Sequence, residues 1–516
     1  MNSDTAELAI VDTASELVAP FGRPASDRRS TKGTPGWWAR MRADPARMAA
    51  VRDSRQALWS SRLLVWAAAV GTLLAFGFGP VRNAFNPPGV TRGFGWLGDL
   101  LAAPAARWDA SWYLVIAHFG YRPDLGAFTS SRAAFFPLYP LGLRTIAWFG
   151  VPPVLAGVLL SMLALALALY GIHRLTTLEL GRDHGGPGAQ SAGPGPGGLE
   201  RTGTQSGGPG RQAPGRRLRS AGRVPRIGPL AGGGDVARLA VMVTAFSPMA
   251  FYFSAIYSES LYLALSVGLF WCARHGRFAA VGVLGALAGA TRSAGLVLAL
   301  PALVLYLYGP REDRAPDFSG GRRFAPRYRL RKDALWLGLV PVGLGLYMAY
   351  LGLSGGDAML PFHAQEVWGR HFAGPYLGAW DGVKAAFEGA RQLLSFQHHH
   401  VYFPIAAGSP FVTSGHNLLL LAFLIGAVPA VVGVLRTLPF AYGAYVIAAL
   451  ALPLSYPVTP QPLMSLPRFL VVLFPLSMWL AVRLAARPRA QRPALALSAL
   501  LMALFVAQFA TWHWVA

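Results

Sequence analysis

Two carboxylates and two arginines carry the chemistry this chain allows. The first carboxylate lies in Arg107-Trp108-Asp109-Ala110-Ser111-Trp112-Tyr113, in the first long loop between two apolar runs of membrane length. A carboxylate beside a bilayer is costly unless it reacts or finds a partner. Tryptophan and tyrosine sit naturally at headgroup level. Asp109 therefore reads as an acid or base at the water–lipid boundary, where a lipid-linked substrate would present its reactive end. The bland alternative is a helix-start carboxylate satisfying free backbone amides.

Glu259 is the second carboxylate, in the polar tip Ser254-Ala255-Ile256-Tyr257-Ser258-Glu259-Ser260-Leu261-Tyr262 between two apolar runs. It either binds an acceptor hydroxyl or caps the helix that follows. Arg292 and Arg468 break the usual clustering of arginines, because both are expected at outward helix ends. A guanidinium there wants an anion, and its fork matches phosphate. Snorkelling to ordinary headgroups is the competing reading. Trp108, Tyr113, Tyr139, Tyr257 and Glu259 are the candidate substrate contacts. Tyr139 falls in Ala134-Phe135-Phe136-Pro137-Leu138-Tyr139-Pro140, a rigid aromatic turn that could equally be an interfacial belt. His398, His399 and His400, with His363 and His371 nearby, read as a loop cluster rather than a metal site, because consecutive histidines diverge and no carboxylate spacing accompanies them. No metal and no cofactor is expected.

These residues need a membrane to position them. Hydrophobic residues are 53% of the 516, charged residues only 13%, and mean hydropathy is +0.40. That composition describes an all-α polytopic membrane protein. The net charge of +23 does not imply nucleic acid, since the arginines gather at the ends of apolar runs. Cys272 is the single cysteine, so no intrachain disulfide forms. Nothing matches a nucleotide-binding fingerprint.

Hydropathy predicts about eleven spans, at 63–81, 153–172, 237–255, 258–273, 278–292, 294–308, 335–353, 416–435, 439–455, 468–485 and 494–514. Arginine-rich 173–235, 309–333 and 483–492 fall on one side with the N-terminus, which the positive-inside rule makes the cytoplasm. The first loop carries six arginines of its own, from Arg82 to Arg144, but long loops translocate largely regardless of charge. Residues 1–62 are expected to be a disordered cytoplasmic tail and 63–516 the membrane domain. Within it, 185–234 reads as a Gly/Pro/Arg-rich flexible loop, and 82–152 and 354–415 as outer loops. Trp108, Trp112, Val115 and Phe119 recur at helical spacing, which predicts an interfacial helix with Asp109 near its first turn.

Arg107-Trp108-Asp109-x-x-Trp112-Tyr113 through Gly120-Tyr121, the Phe135–Pro140 stretch and Phe253-Ser254-Ala255-x-Tyr257-Ser258-Glu259-Ser260 together resemble the PIG-V family. Ala290-Thr291-Arg292 and Pro467-Arg468-Phe469 are similar too. This family is the second mannosyltransferase of glycosylphosphatidylinositol assembly and its bacterial relatives, and the resemblance covers about 82–485. It implies a GT-C-type multi-span helical bundle with outer interfacial helices, and a polyprenyl-phosphate sugar donor used at the outer face of the plasma membrane. Asp109 is then the general base, Arg292 and Arg468 the donor-phosphate ligands, and an extracytoplasmic glycolipid the acceptor. A lipid-linked-sugar flippase and a protein O-mannosyltransferase are the alternatives.

Overall fold

Apolar runs interrupted by proline and glycine set the architecture. The computed structural model describes residues 44–79, 87–122, 131–181, 233–318, 325–405 and 408–516. Most of the expected tail and nearly all of the Gly/Pro-rich segment lie outside the described residues. By contact the chain divides into Met1–Pro45 and Ala46–Ala516, and the helical bundle belongs to the second unit. Among the described residues there is no strand.

The helices in chain order are α1 Pro45–Phe76, α2 Gly95–Ala102, α3 Ala110–Phe119, α4 Leu138–Trp148, α5 Pro153–Leu180, α6 Gly233–Ala245, α7 Glu259–Arg274, α8 Phe278–Gly289 and α9 Ala299–Tyr308. They continue as α10 Val342–Gly355, α11 Leu360–His363, α12 Pro375–Ser395, α13 Pro410–Thr437, α14 Phe440–Leu454, α15 Leu466–Val471, α16 Phe474–Ala485 and α17 Pro488–Ala510. Proline opens α5, α12, α13 and α17, where its missing N–H costs nothing.

Four helices, α1, α5, α13 and α17, are long and apolar enough to cross a bilayer. Lys332–Leu339 with α10 makes a fifth if the pair, bent by 42°, is one span. The other predicted spans coincide with helices of 10 to 16 residues. At 1.5 Å per residue these reach at most about 24 Å, short of a ~30 Å hydrocarbon core. They are short because the chain breaks. Pro248 stops the helix after α6, Gly289 ends α8, and Pro457, Pro460 and Pro462 fill the gap after α14. Helix α1 also begins at Pro45, well before the predicted start at 63, so 45–62 is helix rather than tail. It buries Asp53, Ser54 and Arg62, and two of these reach other elements: Asp53 pairs with His173 of α5 at 3.3 Å.

Arg62 holds open the first break. Its guanidinium is buried and donates to the carbonyls of Ala250 (2.6 Å) and Ala245 (3.0 Å) and to Ser254 Oγ (3.1 Å). These are groups that a continuous helix would have satisfied itself. Arg62→Met should therefore strand two buried carbonyls and cost roughly 2–5 kcal/mol, read as a lower thermal-unfolding midpoint of the detergent-solubilised protein.

At the far end of α7, some 22 Å from Glu259 by helical rise, Arg274 pairs with Glu179 of α5 and with Glu312 (3.2 Å), and Tyr442 donates to Glu179 (2.9 Å). Between the two charged ends α7 buries Leu263 and Val267 and packs along α5 and α8, while Phe270 meets Tyr442 and Tyr445 of α14 and Phe474 of α16.

Candidate functional site

The breaks converge. Asp109 opens α3, Glu259 opens α7, Arg292 sits at the turn after α8, and Arg468 is carried on α15. Irregular backbone in a membrane protein is tolerated where it lines a cavity, and all four residues line one cavity of about 230 Å³.

Asp109 occupies the N-cap position of α3 but makes no capping hydrogen bond. Its Oδ2 instead accepts from Arg468 Nη1 at 2.7 Å. Its backbone N–H donates to Tyr257 Oη (3.1 Å), and that hydroxyl donates to the Arg107 carbonyl (3.2 Å). Glu259 does not read as a cap either, being the first residue of α7 and almost wholly buried. Its Oε1 lies 3.2 Å from Arg468 Nε and 3.7 Å from Arg292 Nη1. Both are charge contacts without hydrogen-bond geometry, and Glu259 Oε2 has no hydrogen-bond partner among the described residues. Asp109, Arg468, Glu259 and Arg292 thus form a row of alternating charge.

Aromatic rings wall this row. Arg292 lies over Phe469 (5.0 Å) and Tyr262 (5.4 Å), and Arg468 over Tyr257 (5.5 Å) and Phe469 (5.6 Å). Trp112 stacks on Phe135 at 5.4 Å and meets Trp368 edge-on. Backbone strain gathers here as well. Of the five described non-glycine residues with positive φ, Trp108 (+54°) precedes Asp109 and Ser465 (+72°) caps the helix of Arg468. A third, Trp512 (+65°), meets Trp108 at 5.7 Å and lies under the Arg107 guanidinium at 4.5 Å. Such conformations cost about 1–3 kcal/mol each and cluster at functional sites.

A fifth charged residue, unmarked by its sequence surroundings, lines the cavity. Arg370 reaches it from the segment after α11. Residues 370–374 are stitched to the proline-rich turn after α14: Ala373 N–H donates to the Ser455 carbonyl (2.9 Å), and Arg370 to the Tyr456 carbonyl (3.4 Å). No carboxylate among the described residues pairs with Arg370. Burial, and then the charge of Arg468, lower its guanidinium to about 10, so it stays a cation at neutral pH. The two carboxylates cancel Arg292 and Arg468, and Arg370 leaves the cavity one net positive charge.

No family model, curated protein or solved structure matches this chain.

Next to the charged cavity lies a second of about 600 Å³ with almost wholly apolar walls, among them Ile116, Leu287, Val342, Leu346 and Tyr347. The two meet along Phe136-Pro137 and Ala290-Thr291, which Leu138 N–H ties together through the Ala290 carbonyl (2.9 Å). The two cavities have no lining residue in common, so these four residues form the wall between them.

Of the residues singled out from sequence, Asp109, Tyr113, Glu259, Arg292 and Arg468 line the charged cavity; Trp108, Tyr139 and Tyr257 do not. Tyr139 is fully buried, its hydroxyl bonded to the Gly157 carbonyl (3.0 Å) and Ser161 Oγ (2.7 Å), a strut between α4 and α5. Tyr257 fixes the Asp109 backbone, and Trp108 packs on Trp512 and Trp514. Helix α3 is present, but Trp112 faces Phe135 and Trp368 rather than lipid. The histidines scatter: His363 pairs with Asp357 (2.8 Å), His400 bonds the Phe403 carbonyl, and His398 packs on Phe411.

Proposed function

We propose that this chain is an integral-membrane glycosyltransferase of GT-C type, related to the PIG-V mannosyltransferases. It moves a sugar, mannose in our reading, from a polyprenyl-phosphate donor to a glycolipid hydroxyl by a single inverting displacement. The observation that carries the reading is Asp109: a carboxylate at a helix start that caps nothing and faces a net-cationic cavity beside an apolar one.

The chemistry balances with these residues. Asp109 takes the proton of the acceptor hydroxyl as that oxygen attacks the anomeric carbon, and the bond from that carbon to the phosphate oxygen breaks. The polyprenyl phosphate leaves with one more negative charge, which Arg370 and Arg292 stabilise. Arg468 aims Asp109 through their 2.7 Å hydrogen bond, and Glu259 holds Arg468 and Arg292 in place. In this reading the short helices join end to end into up to eleven crossings, with the cavity on the extracytoplasmic side of the plasma membrane and the N-terminus in the cytoplasm.

A flippase would need a polar path between leaflets. The apolar middle of α7 between its two charged ends argues against one. Incubating the purified protein with radiolabelled polyprenyl-phosphate mannose and either membrane-lipid or peptide acceptors tests the proposal. Label should enter the lipid fraction. Label in peptide would make the protein an O-mannosyltransferase, and transport without transfer would end the enzymatic reading.

Arg370→Gln should weaken donor binding about 10–100-fold, the worth of one charge-assisted bond to phosphate, with only a small loss of thermal stability, because no carboxylate is stranded and only the 3.4 Å bond to the Tyr456 carbonyl is lost. Donor KM and kcat measured separately, with Arg370→Lys as the partial rescue, check this. An unchanged donor KM would return the phosphate to Arg292 and Arg468 alone.

A further inference from the structure

The apolar cavity opens onto the surface of the bundle. Helices α3, α4, α8 and α10 line it, and its wall residues Leu141, Val283, Leu287, Leu346 and Tyr350 are also exposed. Two of its few polar groups are already spent. The hydroxyls of Tyr121 and Tyr347 donate to the carbonyls of Phe135 (2.7 Å) and Ala133 (3.0 Å). Arg144 of α4 is the one charged residue in the wall, and it is exposed. No ion pair or hydrogen bond among the described residues holds its guanidinium. Arg144 is one of the six first-loop arginines that run against the clustering of positive charge. Two others of that set, Arg107 and Arg132, bond the carbonyls of Ala510 (3.1 Å) and Gly120 (2.9 Å). One turn beyond Arg144, and on the same side of α4, Trp148 is more than 80% exposed, as is Phe149 after it.

We propose that this cavity binds an anionic phospholipid of the surrounding bilayer, with an acyl chain in the hollow and the phosphate on Arg144. Three observations commit to that occupant. The walls are almost wholly apolar, and such a space takes hydrocarbon rather than water. The tryptophan one turn from Arg144 is of the kind that settles at headgroup level, which brings the guanidinium to the depth of a lipid phosphate. A guanidinium matches phosphate in shape, and no carboxylate among the described residues neutralises this one. A headgroup of net negative charge leaves the site neutral, whereas a zwitterionic one leaves it cationic.

This lipid is separate from whatever occupies the charged cavity. The wall of Phe136-Pro137 and Ala290-Thr291 stands between the two, and Arg144 lines only the apolar one. The site therefore stands whatever reaction occurs next door. Its occupant touches α4, α8 and α10 together, and so braces Pro137 and Ala290 on the apolar side of the wall.

Photo-crosslinking in the full chain tests this. The probe is phosphatidylglycerol with a diazirine in one acyl chain, added in trace to phosphatidylcholine vesicles holding the protein, with crosslinked peptides read by mass spectrometry. Exposed Ile425 and Val428 of α13 report contact with bulk lipid and serve as the internal reference. Label should concentrate on Val283–Leu287 and Leu339–Leu346 several-fold over that reference. Unlabelled phosphatidylglycerol should compete it away, and further phosphatidylcholine should do so far less well. Arg144→Gln should lower the ratio about 3–10-fold, the worth of an exposed charge-assisted bond. Val283→Trp, which fills the cavity from α8, should abolish the excess while α13 is labelled as before. Cavity label no greater than on α13, or unmoved by Arg144→Gln, would show a surface that only meets bulk lipid. Competition by polyprenyl phosphate and not by phosphatidylglycerol would make the cavity an isoprenoid channel. Either result overturns the proposal.

Discussion

Asp109→Asn should lower sugar transfer by about 10²–10⁴-fold, the range of a general base, while donor binding changes little. The substitution preserves size, and an amide oxygen still accepts from Arg468 Nη1, so the row of charges keeps its shape. It removes only the capacity to take a proton. A mere helix cap would tolerate Asn, itself a good cap, but Asp109 makes no capping bond to lose. Steady-state kinetics with donor binding measured separately check this. Near-normal turnover would move the base to Glu259, whose Oε2 is without a hydrogen bond among the described residues.

Arg468→Ala should have a different and broader effect. It removes the cation that contacts both carboxylates, leaving Glu259 buried with only Arg292 at 3.7 Å. Breaking a buried pair from one side typically costs about 3–5 kcal/mol, so the variant should unfold at lower temperature. Its turnover should also fall, by roughly 10²–10³-fold, because Asp109 loses the group that aims it. Adding Glu259→Gln separates the two losses. The double variant should regain part of that stability, since the buried Glu259 charge is gone while Asp109 and Arg292 remain unpaired, yet stay inactive. A stable and active Arg468→Ala would remove Arg468 from the mechanism.

Legibility of the site in the sequence followed from how local each signal was. Asp109, Arg292 and Arg468 stood out because a charge at the edge of an apolar run departs from its neighbours, and tertiary structure brings these positions together with Glu259. Arg370 gave no such signal. It belongs to a loop that already holds other charges, and it matters only because 370–374 is stitched to 455–458, a pairing of distant segments that no periodicity encodes. Tyr139 was conspicuous for its aromatic surroundings, but whether a tyrosine faces a cavity or a helix carbonyl depends on where Gly157 and Ser161 lie. Hydropathy located the apolar runs yet missed their interruptions, because a proline or glycine hardly lowers a window average while it ends a helix. Those interruptions are what place Glu259, Arg292 and Arg468 at the cavity.

The most direct test of direct displacement at Asp109 is the anomeric configuration of the product. Donor of one defined configuration, transferred by the wild-type protein to a glycolipid acceptor, should give the opposite configuration at C1 in the NMR spectrum of the product. Retained configuration would require a covalent or two-step route and would contradict direct displacement.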